Sequence, residues 1–291
     1  MKKELWYLLI NGQSDATTGL YGNFYSYGLH LGDALNNTFE IIAKVKFQNP
    51  NLIEAFKLDN FEVIEKNNEL IKLSNDVYMR EKIYPFSFDD LDKEFQPPVG
   101  ITKSTGEDQY DYDLITENFV AYGQDDNGIF ELELVVGKAK LIEAFLKIID
   151  FLPTVDGFWI YIQSHWCDKK TELWVAKHFV NKEQVIYFLT EQENNTIKNG
   201  FIKLVVHSVQ GESNLTLDDH KKIQLYTKDE EVFKHFIGQI KDLGYKQTRD
   251  FYNLEFGFQH WHYRVADSLN RTEFIEMLKD NHFEFIDAWE E

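Results

Sequence analysis

The residues best suited to chemistry lie in the C-terminal half, which holds eight of the nine histidines. His260-Trp261-His262 sits in an aromatic stretch that reads as extended, and strand alternation then puts both imidazoles on one face with Trp261 and Tyr263 on the other. Two imidazoles one strand-step apart can share a metal ion. A third ligand is available from His207, or from Asp218 and His220, which also alternate. The candidate metal set is therefore His260, His262 and His220, and it suits Zn²⁺ or another divalent ion that activates water for hydrolysis. The spacing matches no HExxH-type motif, and His-x-His on a strand equally describes two hydrogen-bonded imidazoles. Glu255 and Arg264, which flank the pair, read as a cross-strand ion pair.

Other catalytic patterns are weaker. Gly19 to Gly22 and the Gly28/Gly32 pair do not form a GxGxxG between strand and helix, and neither GxxxxGK[ST] nor GxSxG occurs. A Ser208, His207, Asp218 triad can be written down, but triads are defined by geometry and not by composition. The single cysteine, Cys167, excludes an intrachain disulfide and a cysteine-based metal framework, and reads as a small buried residue in a reducing, cytoplasmic setting. Trp159, Trp166 and Trp174 at strand spacing read as core. The apolar run Leu5 to Ile10 is too short for a secretory signal, and no apolar run approaches membrane-spanning length.

Charge is the strongest global signal. The chain carries 49 acidic against 30 basic side chains, net −19, while 43% of its residues are apolar, enough for an ordinary globular core. Between Phe88 and Val136 thirteen acids face two lysines. Such a field repels nucleic acid and anionic lipid and attracts basic proteins, so direct nucleic-acid and membrane binding are disfavoured. Asp89, Asp90, Asp92, Glu94, Glu107, Asp108, Asp111 and Asp113, with Tyr110 and Tyr112 as aromatic anchors, form the expected partner-binding face.

The elements that must position these residues alternate between strand-like and helix-like periods. The pattern predicts a strand at Leu5–Ile10, a loop to Gly22, a helix over Tyr27–Leu35, a strand at Phe39–Phe47, a helix at Asn51–Leu58 and a strand at Phe61–Glu65. Pro85 to Thr105 reads as a long connection, which divides the chain into residues 1–110 and 111–291. Beyond it come a hairpin over Tyr112–Tyr122 and Ile129–Val136 turned by Asp125-Asp126-Asn127-Gly128, and a helix at Lys138–Ile149. Strands follow at Gly157–Gln163, Thr171–Phe179, Phe201–Val209 and Lys222–Tyr226, with Glu183–Leu189 ambiguous between helix and strand. A helix at Asp229–Leu243 closed by Gly244 leads to strands near Asn253–Phe258 and His260–Val265, then a last helix and strand.

Pro50–Ile64 aligns with Thr272–Ile286 at six identical positions, and the pentapeptide Leu-Ile-Glu-Ala-Phe occurs at both Leu52–Phe56 and Leu141–Phe145. Both observations fit a divergent duplication of a helix-strand unit, and fit equally a convergence on one common amphipathic pattern. The expected fold class is α+β, with mainly antiparallel sheets and helices on one face.

In general character, being acidic, aromatic-rich and without a catalytic motif, the chain is similar to the immunity proteins of bacterial toxin systems. The similarity is one of type, and no motif carries it. It implies a non-catalytic cytoplasmic module that docks or neutralises a basic partner protein, with no cofactor. The alternative is the metal-dependent hydrolase built on His260, His262 and His220.

Overall fold

The computed structural model describes residues 2–45, 47–58, 64, 69–81, 83–87, 95–102, 114–167, 169–179, 181–255 and 260–290, the side chains of 84–87 excepted. The chain divides into two compact units, Met1–Lys93 with Lys103–Gln109 and Glu94–Thr102 with Tyr110–Glu291. Both are α+β and mainly antiparallel.

In the first unit β1 (Glu4–Gln13) and β2 (Thr18–Gly28) form a long hairpin, and the sheet runs β3-β1-β2-β5-β4, with β6 (Tyr84–Ser87) also pairing β2. β3 is Gln48–Leu58, β4 Leu70–Lys72 and β5 Val77–Arg80. Helix α1 (Leu31–Ile42), capped by His30 Nδ1 accepting from Asp33 N, buries Ala34, Thr38 and Ile42. That i, i+4, i+8 stripe shows why the strand expected at Phe39–Phe47 is instead the end of a helix: the 3.6-residue period of its apolar positions is satisfied against Leu8, Ile10 and Phe24.

The reverse correction applies at Asn51–Leu58, where a helix was expected and β3 is found. β3 is an edge strand, which accommodates Pro50 because a proline N–H is not missed on the unpaired side. The duplication falls with it. Leu52–Phe56 is extended and paired with β1, whereas the same five residues at Leu141–Phe145 begin a helix. In the strand Glu54 is buried; in the helix Leu141, Ala144 and Phe145 are buried at i, i+3 and i+4 and Glu143 faces out. The partner in space, β1 in one case and the apolar core of the second unit in the other, decides the conformation. The loop expected to run to Gly22 is mostly β2, and the strand expected at Phe61–Glu65 lies outside the described residues apart from Ile64, which is helical.

The second unit is a nine-stranded sheet in the order β14-β7-β8-β13-β12-β11-β9-β10-β15, antiparallel except for the β14/β7 pair. Its strands are β7 (Asn118–Tyr122), β8 (Phe130–Leu134), β9 (Gly157–Ile162), β10 (Thr171–Ala176), β11 (Ile202–Ser208), β12 (Ser213–Leu217), β13 (Ile223–Thr227), β14 (Lys246–Gln247) and β15 (Phe283–Trp289). Four helices, α2 (Leu141–Ile149), α3 (Lys182–Glu191), α4 (Glu230–Asp242) and α5 (Arg271–Asp280), share one apolar layer with alternate strand residues such as Phe158, Ile160 and Ile162. The ambiguous Glu183–Leu189 is thus α3, with Asn181 as its cap; α4 is capped by Asp229 and followed by Gly244 at φ +95°. Trp166 and Trp174 are buried as expected, while Trp159 is half-buried and stacks on His207. Among the described residues no helix is long and apolar enough to cross a membrane.

Phe158 is fully buried and meets Phe179, Phe188 and Phe283 edge-on. Phe158→Ala is expected to lower the unfolding free energy by about 3–5 kcal/mol. Tyr187→Ala, at a side chain 68% exposed, should change it by less than about 0.5 kcal/mol. Urea titrations of the two variants check both.

Candidate metal centre

Antiparallel order delivers the site. The C-terminal ends of β9 and β12 and the N-terminal ends of β11 and β13 lie at one end of the sheet, because neighbours in β13-β12-β11-β9 alternate in direction. Three turns meet there, carrying His165 after β9, Asn199-Gly200 before β11, and Asp219-His220 between β12 and β13.

The β12–β13 turn is a three-residue loop. Asp218 N donates to Lys222 O, Asp218 Oδ1 accepts from Lys222 N at 2.7 Å, and Lys221 takes the left-handed conformation at φ +66°. A lysine pays in strain for a conformation that glycine adopts freely, and here the strain is held by tertiary bonds: the buried Lys221 Nζ donates to Asn199 O at 2.5 Å. Burial pushes the Lys221 ammonium down to about 8, with Asp219 and Asp218 opposing.

The fourth segment is residues 260–263. The strand expected at His260–Val265 does not form; the segment makes an isolated antiparallel bridge between His262 and Ile101. It is held by Thr102 N to Trp261 O at 2.8 Å, Trp261 N to Thr102 Oγ1 at 2.9 Å, Tyr263 N to Gly100 O at 2.9 Å and Gly200 N to Tyr263 O at 2.9 Å. The packing requires two glycines: a Cβ on Gly200 would fall 1.8 Å from Gly100 O, and Gly100 itself sits at φ +106°. The strand near Asn253–Phe258 is also not formed over Asn253–Glu255, and 256–259 lie outside the described residues.

These segments bring His220, His260 and His262 together, each with one ligand atom within 4.8 Å of the others', and the ring centroids are 4.9 to 5.0 Å apart. His165 and Asp219 form a second such group with His262. Sequence reasoning named His220, His260 and His262 but missed His165 and Asp219; the signal it passed over was the run Asp218-Asp219-His220 of adjacent titratable residues. His207, the alternative third ligand, is elsewhere, its Nδ1 2.9 Å from Asn214 Oδ1. Ser208 Oγ is engaged by Thr154 and Gln210 O, so the drawn triad is not built. Glu255 pairs with Lys222 at 2.8 Å and Arg264 donates to Ser268, where a Glu255–Arg264 pair was expected. Cys167, expected buried, is exposed at φ +66° on the turn that carries His165.

Two ring orientations are fixed. His262 Nδ1 lies 2.7 Å from Gly200 O; a carbonyl only accepts, so Nδ1 carries the proton and Nε2 keeps its lone pair. His220 Nδ1 faces Asp219 Oδ1 at 3.5 Å. Burial would push His220 down, but the hydrogen bond and charge of Asp219, helped by Asp218 and Glu255, outweigh it and raise its pKa. Burial also works to raise Asp219, and the hydrogen bond from His220 with the charges of His220, His262 and His165 holds it well below the usual carboxylate range. Burial and the neighbouring His165 push His262 down to about 3, Asp219 offsetting only part, so its imidazole is neutral at pH 7. Asp218 is pushed up to about 6 by burial and by the charge of Asp219.

Behind the histidines, Lys222 Nζ bridges Glu133 Oε1 at 2.7 Å and Glu255 Oε2 at 2.8 Å. Its side chain is 6% exposed, and despite burial these two carboxylates raise its pKa. Gln224 Nε2 completes Glu133 at 3.0 Å.

All ten residues of the expected partner-binding face, from Asp89 to Asp113, lie outside the described residues. Comparison with family models, with curated proteins and with solved structures finds no match for this chain.

Lys222→Ala leaves Glu133 buried without its cation, and is expected to cost about 3–5 kcal/mol in a denaturant titration. Gly200→Ala should fold less stably than wild type and weaken any ligand held by His262, read by thermal unfolding with and without divalent metal.

Proposed function

We propose that the C-terminal unit holds a divalent metal ion of the zinc class on His220, His260 and His262, and that the protein is a metal-dependent hydrolase. The observation that carries this reading is the convergence of three imidazoles whose ligand atoms lie within 4.8 Å of one another, two of them with Nδ1 facing an oxygen. A histidine ligand that gives its second nitrogen to a carboxylate or a carbonyl is the usual support for a bound metal, fixing tautomer and ring orientation. Asp219 and the Gly200 carbonyl have those roles here.

Three histidine ligands suit zinc and leave a fourth position for water, whose pKa such an ion lowers to about 7. The chain's own contribution is to hold His262 neutral, to keep Asp219 ionised beside the imidazoles, and to place Lys222 with Glu133 and Glu255 where they brace the turn. Docking of a basic protein on the acidic segment is the second function the sequence offers. It is carried by net charge alone.

Purified protein is expected to contain at least one equivalent of zinc per chain by elemental analysis. Free Zn²⁺ at 100 times the dissociation constant of that site should stabilise it by about 2.7 kcal/mol, a gain that His220→Ala and His260→Ala should lower. Asp219→Asn should weaken metal binding by about 10–100-fold while leaving the ligands in place. Zinc-loaded protein is expected to hydrolyse 4-nitrophenyl acetate faster than protein stripped with a chelator. A melting curve indifferent to divalent metal, with no metal found in the protein, overturns the reading.

A further inference from the structure

The second donor group meets His262 at Nδ1. His165 Nε2 is 3.8 Å from Asp219 Oδ2 and 3.4 Å from Gly200 O, and His262 Nδ1 is 3.9 Å from Asp219 Oδ2 and 2.7 Å from Gly200 O. Two imidazole nitrogens, one carboxylate oxygen and one carbonyl oxygen thus surround a single point. Donors about 2.0–2.2 Å from a tetrahedral zinc ion are about 3.3–3.6 Å from one another. Three of the four separations are at or slightly above that spacing, and the Nδ1–carbonyl contact is the one that must open.

We propose that His262 bridges two divalent cations, the first on its Nε2 with His220 and His260, the second on its Nδ1 with His165, Asp219 Oδ2 and the Gly200 carbonyl. The inference rests on the reading of the histidine cluster as a metal centre. Entry of the second ion replaces the proton between Nδ1 and the carbonyl: the N–H bond breaks, its electron pair stays on nitrogen and forms the bond to the metal, and one proton passes to solvent. The Asp219 carboxylate serves both halves, Oδ1 orienting His220 and Oδ2 supplying the anionic ligand. The side chain of His165 is 34% exposed against 13% for His262, so the second position is the one open to solvent. Mixed imidazole and carboxylate donors suit Zn²⁺ and Cu²⁺.

Full-length protein stripped of metal and titrated with Zn²⁺ in equilibrium dialysis is expected to take up two equivalents. His165→Ala should bind one, and His260→Ala should lose the first while His262→Ala loses both. With Cu²⁺ as probe, the electron-paramagnetic signal seen at one equivalent should fall as the second enters, through coupling across the shared ring, and in His165→Ala it should not. Far-UV circular dichroism melts establish that each variant is folded, with His165→Gln as the second variant where alanine unfolds the turn. One equivalent in wild type, unchanged in His165→Ala, overturns the second position and leaves the first intact. Loss of all metal from His165→Ala also overturns the bridge, since it makes a single shared site. No bound metal in wild type overturns both readings.

Discussion

The close crossing of backbone at Gly100 and Gly200 is the constraint from which the site follows. With side chains excluded from both positions, the 260–263 segment can hydrogen-bond to residues 100–102 on one side and to Gly200 on the other. The Gly200 carbonyl is left facing His262 Nδ1 and, at longer range, His165 Nε2. One oxygen therefore sets the tautomer of one imidazole and the neighbourhood of another. The left-handed Lys221, tied to the carbonyl of Asn199, fastens the His220 turn to the same stretch of chain. Strain at a non-glycine left-handed residue costs on the order of 1–3 kcal/mol and persists only where surrounding bonds enforce it.

Electrostatics explains why the cluster holds so much charge at partial burial. Asp219 is flanked by three imidazoles, and each of its oxygens faces at least one ring nitrogen within 3.9 Å. Lys222 is balanced by two carboxylates, and the second of these, Glu255, also acts on His220. Removing either kind of partner would leave a desolvated charge without compensation, which is the costly event; the assembled set is close to balanced. Burial and the neighbouring His165, opposed by Asp219, keep His262 neutral, the state in which an imidazole binds metal.

Legibility followed the range of the forces involved. The α4 helix with its Asp229 cap and Gly244 stop, the Gly157–Ile162 strand and the Asn127-Gly128 hairpin are written in local residues, and each was readable. Leu52–Phe56 and Leu141–Phe145 are one peptide in two conformations, so no local rule could separate them; the edge of β1 and the helical layer did. His220, His260 and His262 were found as a set because His-x-His and Asp-x-His are visible as spacings. His165 was not, because it reaches the cluster only through the antiparallel return of β9 beside β11, some fifty residues and several elements away in sequence. The alternation argument placed His260 and His262 correctly for the wrong reason: their rings are 5.0 Å apart in a segment that is clamped by backbone hydrogen bonds and joins no sheet.

The charge excess admits a reading beyond protein recognition. A net charge of −19 lowers the electrostatic potential around the whole molecule, which concentrates any cation, and a divalent ion feels that potential twice as strongly as a lysine side chain. Under the metal reading such a field would raise the local supply of the ion, over distances of about a Debye length of 8 Å in physiological salt. Of the proposed ligands His262 is neutral, and under the metal reading selectivity would come from the nitrogen donors. Under that reading the acidity expected to face a basic protein would serve equally as an ion-gathering field, with His220, His260 and His262 as the proposed centre.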